Sequence, residues 1–200
     1  LTGTLPPELG NLDLMSINVI NTNVSGTIPM ELSHISELTN LSITGYAVRS
    51  RLSGTIPAGL GNLSRLAMLE LWSNRLSGTI PEAISDFSEL ESLDLYNNNI
   101  SGTIPAELGN LSRLSSLSLA GNNLSGTIPE ALSKLALTKL DLWGNRISGT
   151  IPEAISHFSE LESLTLGNNS LSGTIPSDLS ALSHLSFLIL DYNNISGTLP

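Results

Sequence analysis

Acidic and aromatic residues that stand two positions apart are the part of this sequence best suited to chemistry. Three such pairs occur: Glu70 and Trp72, Asp94 and Tyr96, and Asp141 and Trp143. If Glu70 and Asp94 lie on neighbouring strands, their carboxylates are separated by about 5 Å, as in retaining glycosidases. A hydrolase also needs a cleft that excludes water, and a shallow open sheet excludes little. We therefore predict that the chain is not an enzyme and has no catalytic residues.

Metal binding is the other chemistry that such side chains suggest. Carboxylates are calcium ligands, but six or more oxygen ligands are hard to bring together from a flat sheet. His34, His157 and His184 stand far apart, without partners at the spacing of a zinc site or a general base. There is no cysteine, which excludes a thiolate metal site and a disulfide framework. We predict no metal site and no cofactor.

Composition limits the class of protein and its partners. Of the 200 residues, 40% are hydrophobic and the mean hydropathy is +0.18, so the chain has enough apolar material for a packed core. The net charge of −10 would repel a nucleic-acid backbone, and we expect no nucleic-acid partner. Polar residues interrupt every apolar run before the ~18 residues that a membrane span needs. We expect no membrane span in this segment.

A repeat of about 24 residues organises the whole chain. The motif Gly-Thr-(Ile/Leu)-Pro occurs nine times, with steps of 23 to 28 residues between copies. A Leu-x-Leu pair in each repeat, such as Leu117 and Leu119, has the alternation of a short strand with one buried face. The six residues after the proline are typical of a single helical or 3-10 turn. The asparagines after the strands are expected to form a ladder of buried amides: Asn74, Asn98, Asn122, Asn145, Asn169 and Asn193.

The pattern LxxLxLxxNxLSGTIPxxLxxL, as in LSSLSLAGNNLSGTIPEAL, resembles the plant-type leucine-rich repeat and covers essentially all 200 residues. The resemblance implies a superhelical leucine-rich-repeat solenoid of about eight repeats of 23 to 28 residues. It implies a parallel concave β-sheet, a second short β-sheet near Ser-Gly-Thr-Ile-Pro, and 3-10 turns on the convex side. The cysteine-bearing caps usual in the family are absent. We expect residues 1–200 to form a single leucine-rich-repeat array that is a fragment of a longer one.

The N-terminal third departs most from the repeat. The step from Gly26 to Gly54 has about four extra residues, in the segment GYAVRSRL, and the ladder asparagine is missing there. Thr22 replaces the asparagine of the preceding repeat. We expect the longer segment to form a loop, because loops accept insertions at small cost. A binding loop and tolerated sequence drift both stay open as interpretations.

The outward positions of the Leu-x-Leu strands should form columns on the concave face, with strands about 4.8 Å apart. Acids and aromatics coincide on the middle strands, where an exposed Trp72 beside Tyr96 can stack on a sugar or hold a basic peptide. We predict ligand binding by Glu70, Trp72, Asp94, Tyr96, Asp141 and Trp143. The leading function is a non-enzymatic extracellular recognition module that binds a peptide, protein or glycan there. The alternative is ordinary surface decoration, since copying over 71 residues relates Trp72 to Trp143.

Asparagine also marks candidate modification sites. Eight sequons of the form Asn-x-(Ser/Thr) occur, at Asn23, Asn40, Asn62, Asn99, Asn110, Asn123, Asn168 and Asn194. The repeat consensus accounts for some of them, and they fall in turn and edge positions, as N-glycosylation acceptors must. With the resemblance, they predict a secreted or cell-surface glycoprotein. A cytosolic or bacterial repeat protein is the alternative.

The Ser-Gly-Thr triplet places a serine and a threonine on one face of an extended segment. The triplets form two files of hydroxyl groups from Ser25 to Thr198, which include Ser77, Thr79, Ser101, Thr103, Ser125 and Thr127. Such a lattice suits ice binding, lateral packing of fibres or attachment of O-glycans. Recent duplication and the β propensity of threonine explain the same regularity without a function. The alternative functions are therefore a structural glycoprotein that forms a cell-surface or matrix fibre by self-association, and ice binding.

Overall fold

Short strands and 3-10 turns alternate along the chain. The computed structural model describes residues 2–45 and 51–197, so the centre of the longer segment GYAVRSRL and Thr198 lie outside the described residues. The described part of the chain contains no α-helix. None of its helices is long and apolar enough to cross a membrane.

The concave sheet consists of eight parallel strands that follow one another in sequence order. Leu69, Leu93 and Leu117 occupy matching places in the register of successive strands, so each repeat presents the same position to the same side. The strands are Ser16–Ile20, Asn40–Thr44, Met68–Glu70, Ser92–Asp94, Ser116–Ser118, Lys139–Asp141, Ser163–Thr165 and Phe187–Ile189.

The second layer is divided into two parallel flank sheets. One contains Thr2–Thr4, Asn23–Gly26, Arg51–Gly54 and Arg75–Leu76; the other contains Ser101–Thr103, Asn123–Gly126, Arg146–Thr150, Ser170–Thr174 and Asn194–Ser196. The resemblance implied a single second sheet. Backbone hydrogen bonds nevertheless cross the division, because the Asn99 amide donates to Leu76 at 2.8 Å and the Ser101 amide to Gly78 at 2.7 Å.

Each convex turn follows a proline of the repeat motif. These prolines have φ between −73° and −57° and no amide hydrogen, which suits the residue just before a helical turn. The 3-10 turns are Pro7–Asn11, Met30–His34, Ala58–Asn62, Glu82–Asp86, Ala106–Asn110, Glu130–Lys134, Glu153–His157 and Ser177–Ala181. The predicted 3-10 turns and parallel concave sheet are thus confirmed.

The core is one continuous stack of leucine and isoleucine between the layers. Both leucines of each central Leu-x-Leu pair, such as Leu117 and Leu119, are 0% exposed. Asn122 shows how the ladder closes the turn after each strand: its Nδ2 donates to the carbonyls of Leu95 and Leu119 at 3.0 Å, and its Oδ1 accepts the Ile100 amide at 3.0 Å. All six asparagines named above donate to carbonyls of two adjacent repeats.

Candidate functional site

Three carboxylates end three strands of the concave sheet and form what we call the acidic column: Glu70, Asp94 and Asp141. Glu70 and Asp94 are register partners on adjacent strands, which lie about 4.8 Å apart. Ser118 is the register partner of both Asp94 and Asp141 and separates them. Two carboxylates are therefore side by side, and the third lies one strand further along.

Hydroxyl and amide groups of the sheet hold these carboxylates in place. The Ser42 hydroxyl donates to Glu70 Oε2 at 2.8 Å, across adjacent strands. Asp94 Oδ1 accepts the Tyr96 amide at 2.9 Å, and Asp141 Oδ1 accepts the Trp143 amide at 3.1 Å. The same local bond therefore fixes an acid beside an aromatic residue in two repeats.

Burial raises the pKa of the Asp94 carboxyl above its ordinary value of 3.8. The negative charge of Glu70 acts in the same direction. The Tyr96 amide, the Ser118 hydroxyl and the positive charge of Lys139 act against this increase without cancelling it. Burial is therefore the main reason why the charged form of Asp94 is disfavoured in the folded chain.

No ion pair neutralises the acidic column among the side chains that the structure describes. The two ion pairs found there join Arg65 to Glu37 and Arg113 to Glu89, just before concave strands. Lys139 contributes only a longer-range interaction with Asp94.

An aromatic column runs beside the acidic one and consists of Trp72, Tyr96 and Trp143. Tyr96 and Trp143 are 43% and 40% exposed, whereas Ala120, at the same place on the strand between them, is 1% exposed. A Cβ atom built on Gly121 would lie 3.5 Å from Tyr96 Cε2, so the Tyr96 ring leans toward the following repeat. Tyr96 and Trp143 are thus partly exposed aromatic residues on either side of the small Ala120.

The Trp143 ring lies over a glycine in the same way. A Cβ atom built on Gly167 would lie 2.9 Å from Trp143 Cδ1 and 2.1 Å from Asp191 Oδ1. Gly167 is buried under these two side chains, and any larger residue would displace one of them. Ala120 and Gly167 occupy the outward column that the repeat defines, but sequence reasoning did not assign them the role of making room for the aromatic rings.

One end of the site contains buried polar atoms without partners. Asn40 Oδ1 and Thr44 Oγ1 have no hydrogen-bond partner in the described part of the chain. Both residues belong to the strand Asn40–Thr44, on which Ser42 binds Glu70. Since the three residues stand two positions apart, their side chains share the concave face.

The two hydroxyl files of the flank sheets have different environments. Eight serines donate to the glycine carbonyl of the preceding repeat at 3.1–3.4 Å: Ser25, Ser53, Ser77, Ser101, Ser125, Ser148, Ser172 and Ser196. What we call the threonine file is exposed throughout and consists of Thr4, Thr27, Thr55, Thr79, Thr103, Thr127, Thr150 and Thr174. The serine hydroxyls are therefore used as donors within the chain, whereas the threonine side chains are exposed along the whole file.

The glycines of the repeat motif allow each threonine to pack against the next repeat. Gly126 has φ +80°, and a Cβ atom there would lie 2.9 Å from Thr103 Cγ2. The Thr103 methyl group consequently packs directly on the backbone of the next repeat. A groove of about 910 Å³ adjoins this part of the file, lined in part by Ile104, Pro105 and Thr127.

The predicted glycosylation sites lie in two kinds of environment. Six of the asparagines are exposed: Asn23, Asn62, Asn99, Asn110, Asn168 and Asn194. Asn40 is partly buried, and so is Asn123, which donates to Asn99 Oδ1 at 2.6 Å. The exposed sites are therefore accessible in the folded chain, and their modification stays a prediction.

Known proteins share this architecture. The family model described as leucine rich repeat matches residues 64–124 and 136–195. No curated protein matches the chain in sequence. One similar solved structure is that of the Arabidopsis receptor kinase HAESA in complex with the peptide hormone IDA and the co-receptor SERK1. It is 37% identical in sequence, with a TM-score of 0.94, and the match covers 100% of this chain and 33% of that one.

Two further structures are similar over the whole chain. A TDR receptor is 40% identical with a TM-score of 0.93, and the match covers 100% of this chain and 34% of the receptor. A plant ice-binding protein is 29% identical with a TM-score of 0.81, and the match covers 100% of this chain and 71% of that protein. The chain spans about a third of the length of the two receptor structures. With the parallel sheets and 3-10 turns, these matches confirm the predicted solenoid, and the chain belongs to the leucine-rich repeat family in its plant-type, ectodomain-like form.

Proposed function

We propose that the chain is a non-enzymatic recognition module that binds an extended peptide along the aromatic column of its concave face. The observation that carries this proposal is the half-exposed pair Tyr96 and Trp143, whose rings lean over small residues of neighbouring repeats. Exposed aromatic side chains that are already held in position lose little conformational freedom on binding. The HAESA structure supports the proposal, because that ectodomain holds a peptide hormone.

The dimensions of the column fit a short extended segment. From Trp72 to Trp143 the column crosses three strand intervals, which corresponds to about 14 Å at about 4.8 Å per interval. An extended chain rises about 3.3 Å per residue, so four to five residues would span the column. We propose a peptide rather than a glycan as the partner, because the similar HAESA structure contains a peptide hormone.

Panning a displayed library of random eight-residue peptides on the purified chain tests this function. We expect selected peptides to lose at least tenfold in affinity when Tyr96 and Trp143 are both replaced by alanine. Met30→Ala is the matched control, because Met30 is a large apolar residue, 65% exposed, on a convex turn. Peptides that bind the Tyr96/Trp143 double variant as well as the unchanged chain would overturn the proposal.

We further propose an extracellular location with sugar on the exposed sequons. Similarity to receptor ectodomains and six exposed asparagines support it. Expression through a plant secretory pathway should give a protein whose exposed sequons, such as Asn62 and Asn110, carry N-glycans detectable by mass spectrometry. Retention of unmodified protein inside the cell would contradict this location.

Ice binding through the threonine file is a second candidate function. It is favoured by the unbroken exposure of the file and by the similarity to a plant ice-binding protein. In an ice-recrystallisation assay, Thr103→Lys together with Thr127→Lys should abolish the activity, whereas Trp143→Ala should not. Activity of the unchanged chain no greater than that of the same mass of serum albumin would refute this candidate. Assembly into a fibre gains no support from the similar structures and stays a prediction.

A further inference from the structure

We infer that the bound peptide adopts a polyproline II helix and places two prolines, three positions apart, on Tyr96 and Trp143. This inference rests on the proposed function and names the conformation and the chemistry of its ligand. Two observations carry it: the spacing of the two aromatic residues, and the way in which their backbone amides are already bonded.

Backbone hydrogen bonds that continue the concave sheet beyond its strands fix the spacing of Tyr96 and Trp143. The Asn97 amide donates to the Ala120 carbonyl at 2.8 Å, and the Gly121 amide donates to the Trp143 carbonyl at 2.7 Å. Tyr96, Ala120 and Trp143 therefore lie side by side in three successive repeats. Two strand intervals separate the aromatic residues, which corresponds to about 9.6 Å.

Both rings lean in the same direction, so the spacing of the backbone is kept at the level of the rings. A Cβ atom on Gly121 would lie 3.5 Å from Tyr96 Cε2, and one on Gly167 would lie 2.9 Å from Trp143 Cδ1. Each glycine belongs to the repeat that follows the aromatic residue. Between the two aromatic residues, Ala120 contributes a single buried methyl group. A ligand therefore meets two raised rings with a lower gap between them.

This spacing distinguishes between the two extended conformations of a peptide. Side chains on one face of a β-strand recur every two residues, or about every 6.6–6.8 Å. A polyproline II helix has three residues per turn and rises about 3.1 Å per residue, so equivalent side chains recur about every 9.3 Å. Only the polyproline II period agrees with the separation of about 9.6 Å between the aromatic residues.

Backbone hydrogen bonding favours the same conformation. The Tyr96 amide already donates to Asp94 Oδ1, and the Trp143 amide to Asp141 Oδ1. A peptide bound as a β-strand needs partners for its own amides and carbonyls, and these two amides are not free to pair with it. A polyproline II helix has no internal hydrogen bonds and keeps its backbone in water, and its prolines have no amide hydrogen to leave unpaired.

The two aromatic side chains also provide hydrogen-bond donors. The Tyr96 hydroxyl and Trp143 Nε1 form no hydrogen bond within residues 2–45 and 51–197, where only the backbone amides of these residues donate. The solvated carbonyls of a polyproline II helix can accept from such groups while its prolines pack on the rings. Proline-rich segments bind aromatic-lined grooves in this way.

Three peptides of identical composition test the spacing. Each has capped ends and eight residues, six alanines and two prolines, and the prolines stand two, three or four positions apart. Each peptide carries the same terminal dye and is titrated against the unchanged chain by fluorescence anisotropy. The peptide with prolines three positions apart should bind at least tenfold more tightly than either of the others, because only this peptide places a proline on each ring.

Variants of the aromatic residues locate the preference. In Tyr96→Ala and in Trp143→Ala the three peptides should bind with equal affinity, because a single ring does not distinguish the spacings. Tyr96→Phe keeps the ring and should keep the preference. Met30→Ala, a change of an exposed apolar residue on a convex turn, is the matched control and should also keep it. A circular dichroism spectrum and an unfolding midpoint would establish that each variant is folded.

The outcomes separate the inference from the function on which it rests. Library peptides that need Tyr96 and Trp143, together with equal or absent binding of the three proline peptides, would overturn the inference and leave peptide recognition standing. A preference for the three-position spacing that survives in Trp143→Ala would also overturn the inference. Failure of the three peptides and of the random library to bind would overturn both.

Discussion

Replacing Asn122 by alanine tests the asparagine ladder at a single rung. The Nδ2 group of Asn122 donates to Leu95 and Leu119, and its Oδ1 atom accepts the Ile100 amide. All three are backbone groups in a buried turn. The variant removes the side-chain amide without adding bulk, so its effect reports the loss of hydrogen bonds.

The three backbone groups do not lose equally. The carbonyl of Leu95 still receives Asn98 Nδ2 at 3.1 Å, and that of Leu119 still receives Asn145 Nδ2 at 3.0 Å. The Ile100 amide loses the one acceptor found for it in the described chain. An unsatisfied buried group costs about 1–3 kcal/mol and a lost bond to a still-paired carbonyl costs less, so we expect about 2–4 kcal/mol in all.

Shared carbonyls make a sharper prediction for double variants. Asn98 and Asn122 both donate to the Leu95 carbonyl, so replacing both by alanine leaves that carbonyl without a side-chain donor. The double variant should therefore lose about 1 kcal/mol more free energy of unfolding than the sum of the two single variants. Asn169 donates to Leu142 and Leu166 instead and shares no partner with Asn122. The pair Asn122 and Asn169 should therefore be additive and is the matched control.

Urea unfolding followed by circular dichroism gives the free energies, provided that the slope with denaturant stays the same in all variants. Hydrogen exchange at the Ile100 amide gives a local readout, because that amide should exchange faster in Asn122→Ala even under conditions where the chain stays folded. A cost below about 0.5 kcal/mol, or equal coupling in the two double variants, would refute this account of the ladder.

The remaining predictions concern glycines and one buried acid. Gly126→Ala should lower the free energy of unfolding by about 1–2 kcal/mol, because φ of Gly126 is +80°. Adding Thr103→Ala to this variant should restore only the part of the loss that comes from the 2.9 Å contact with the Thr103 methyl group. Thermal unfolding of the single and double variants measures both effects. Gly109→Ala would place a Cβ atom 2.3 Å from a backbone carbonyl oxygen of the next repeat and should prevent a cooperative unfolding transition. In Gly59→Ala the nearest atom to the new Cβ is 3.6 Å away, so this control variant should unfold at nearly the same temperature as the unchanged chain. The pKa of Asp94 in the folded chain lies above 3.8, so the free energy of unfolding falls as the pH rises from 3.8 through the folded pKa. Asp94→Asn should therefore be more stable than the unchanged chain at neutral pH. Unfolding measured over a pH series should show this difference shrink as the pH is lowered.

Much of the fold follows from the period of the sequence. Leu117 and Leu119 could be assigned to a strand with one buried face because alternation specifies which side chains point inward. Asn122 could be assigned to a turn because it recurs at the same distance from that strand. Fixed spacing then puts equivalent residues side by side, which is why the positions of Glu70 and Asp94 on the concave face were predictable.

Details that depend on contacts between repeats were not predictable. Ser125 and Thr127 look equivalent in sequence, yet the Ser125 hydroxyl donates to the Gly102 carbonyl of the preceding repeat, whereas Thr127 is exposed. The difference depends on where the carbonyl of the preceding repeat lies, which alternation alone does not specify. The lean of Trp143 over Gly167 likewise depends on the absence of a side chain one repeat away.

The break in the ladder at Thr22 has a mechanical consequence. Tension applied along the solenoid passes through every junction between repeats in series, since the strands bond only to those of adjacent repeats. Each junction bears the same force, and the one with the fewest bonds opens first. Within the described residues, Thr22 makes one weak side-chain contact, in which its Oγ1 accepts the Val24 amide at 3.4 Å. A ladder asparagine such as Asn122 instead donates to carbonyls of two adjacent repeats. The strands Ser16–Ile20 and Asn40–Thr44 offset this loss, because they pair over five residues where the later concave strands pair over three. Under load this junction therefore resists opening through a longer backbone ladder rather than through a buried amide.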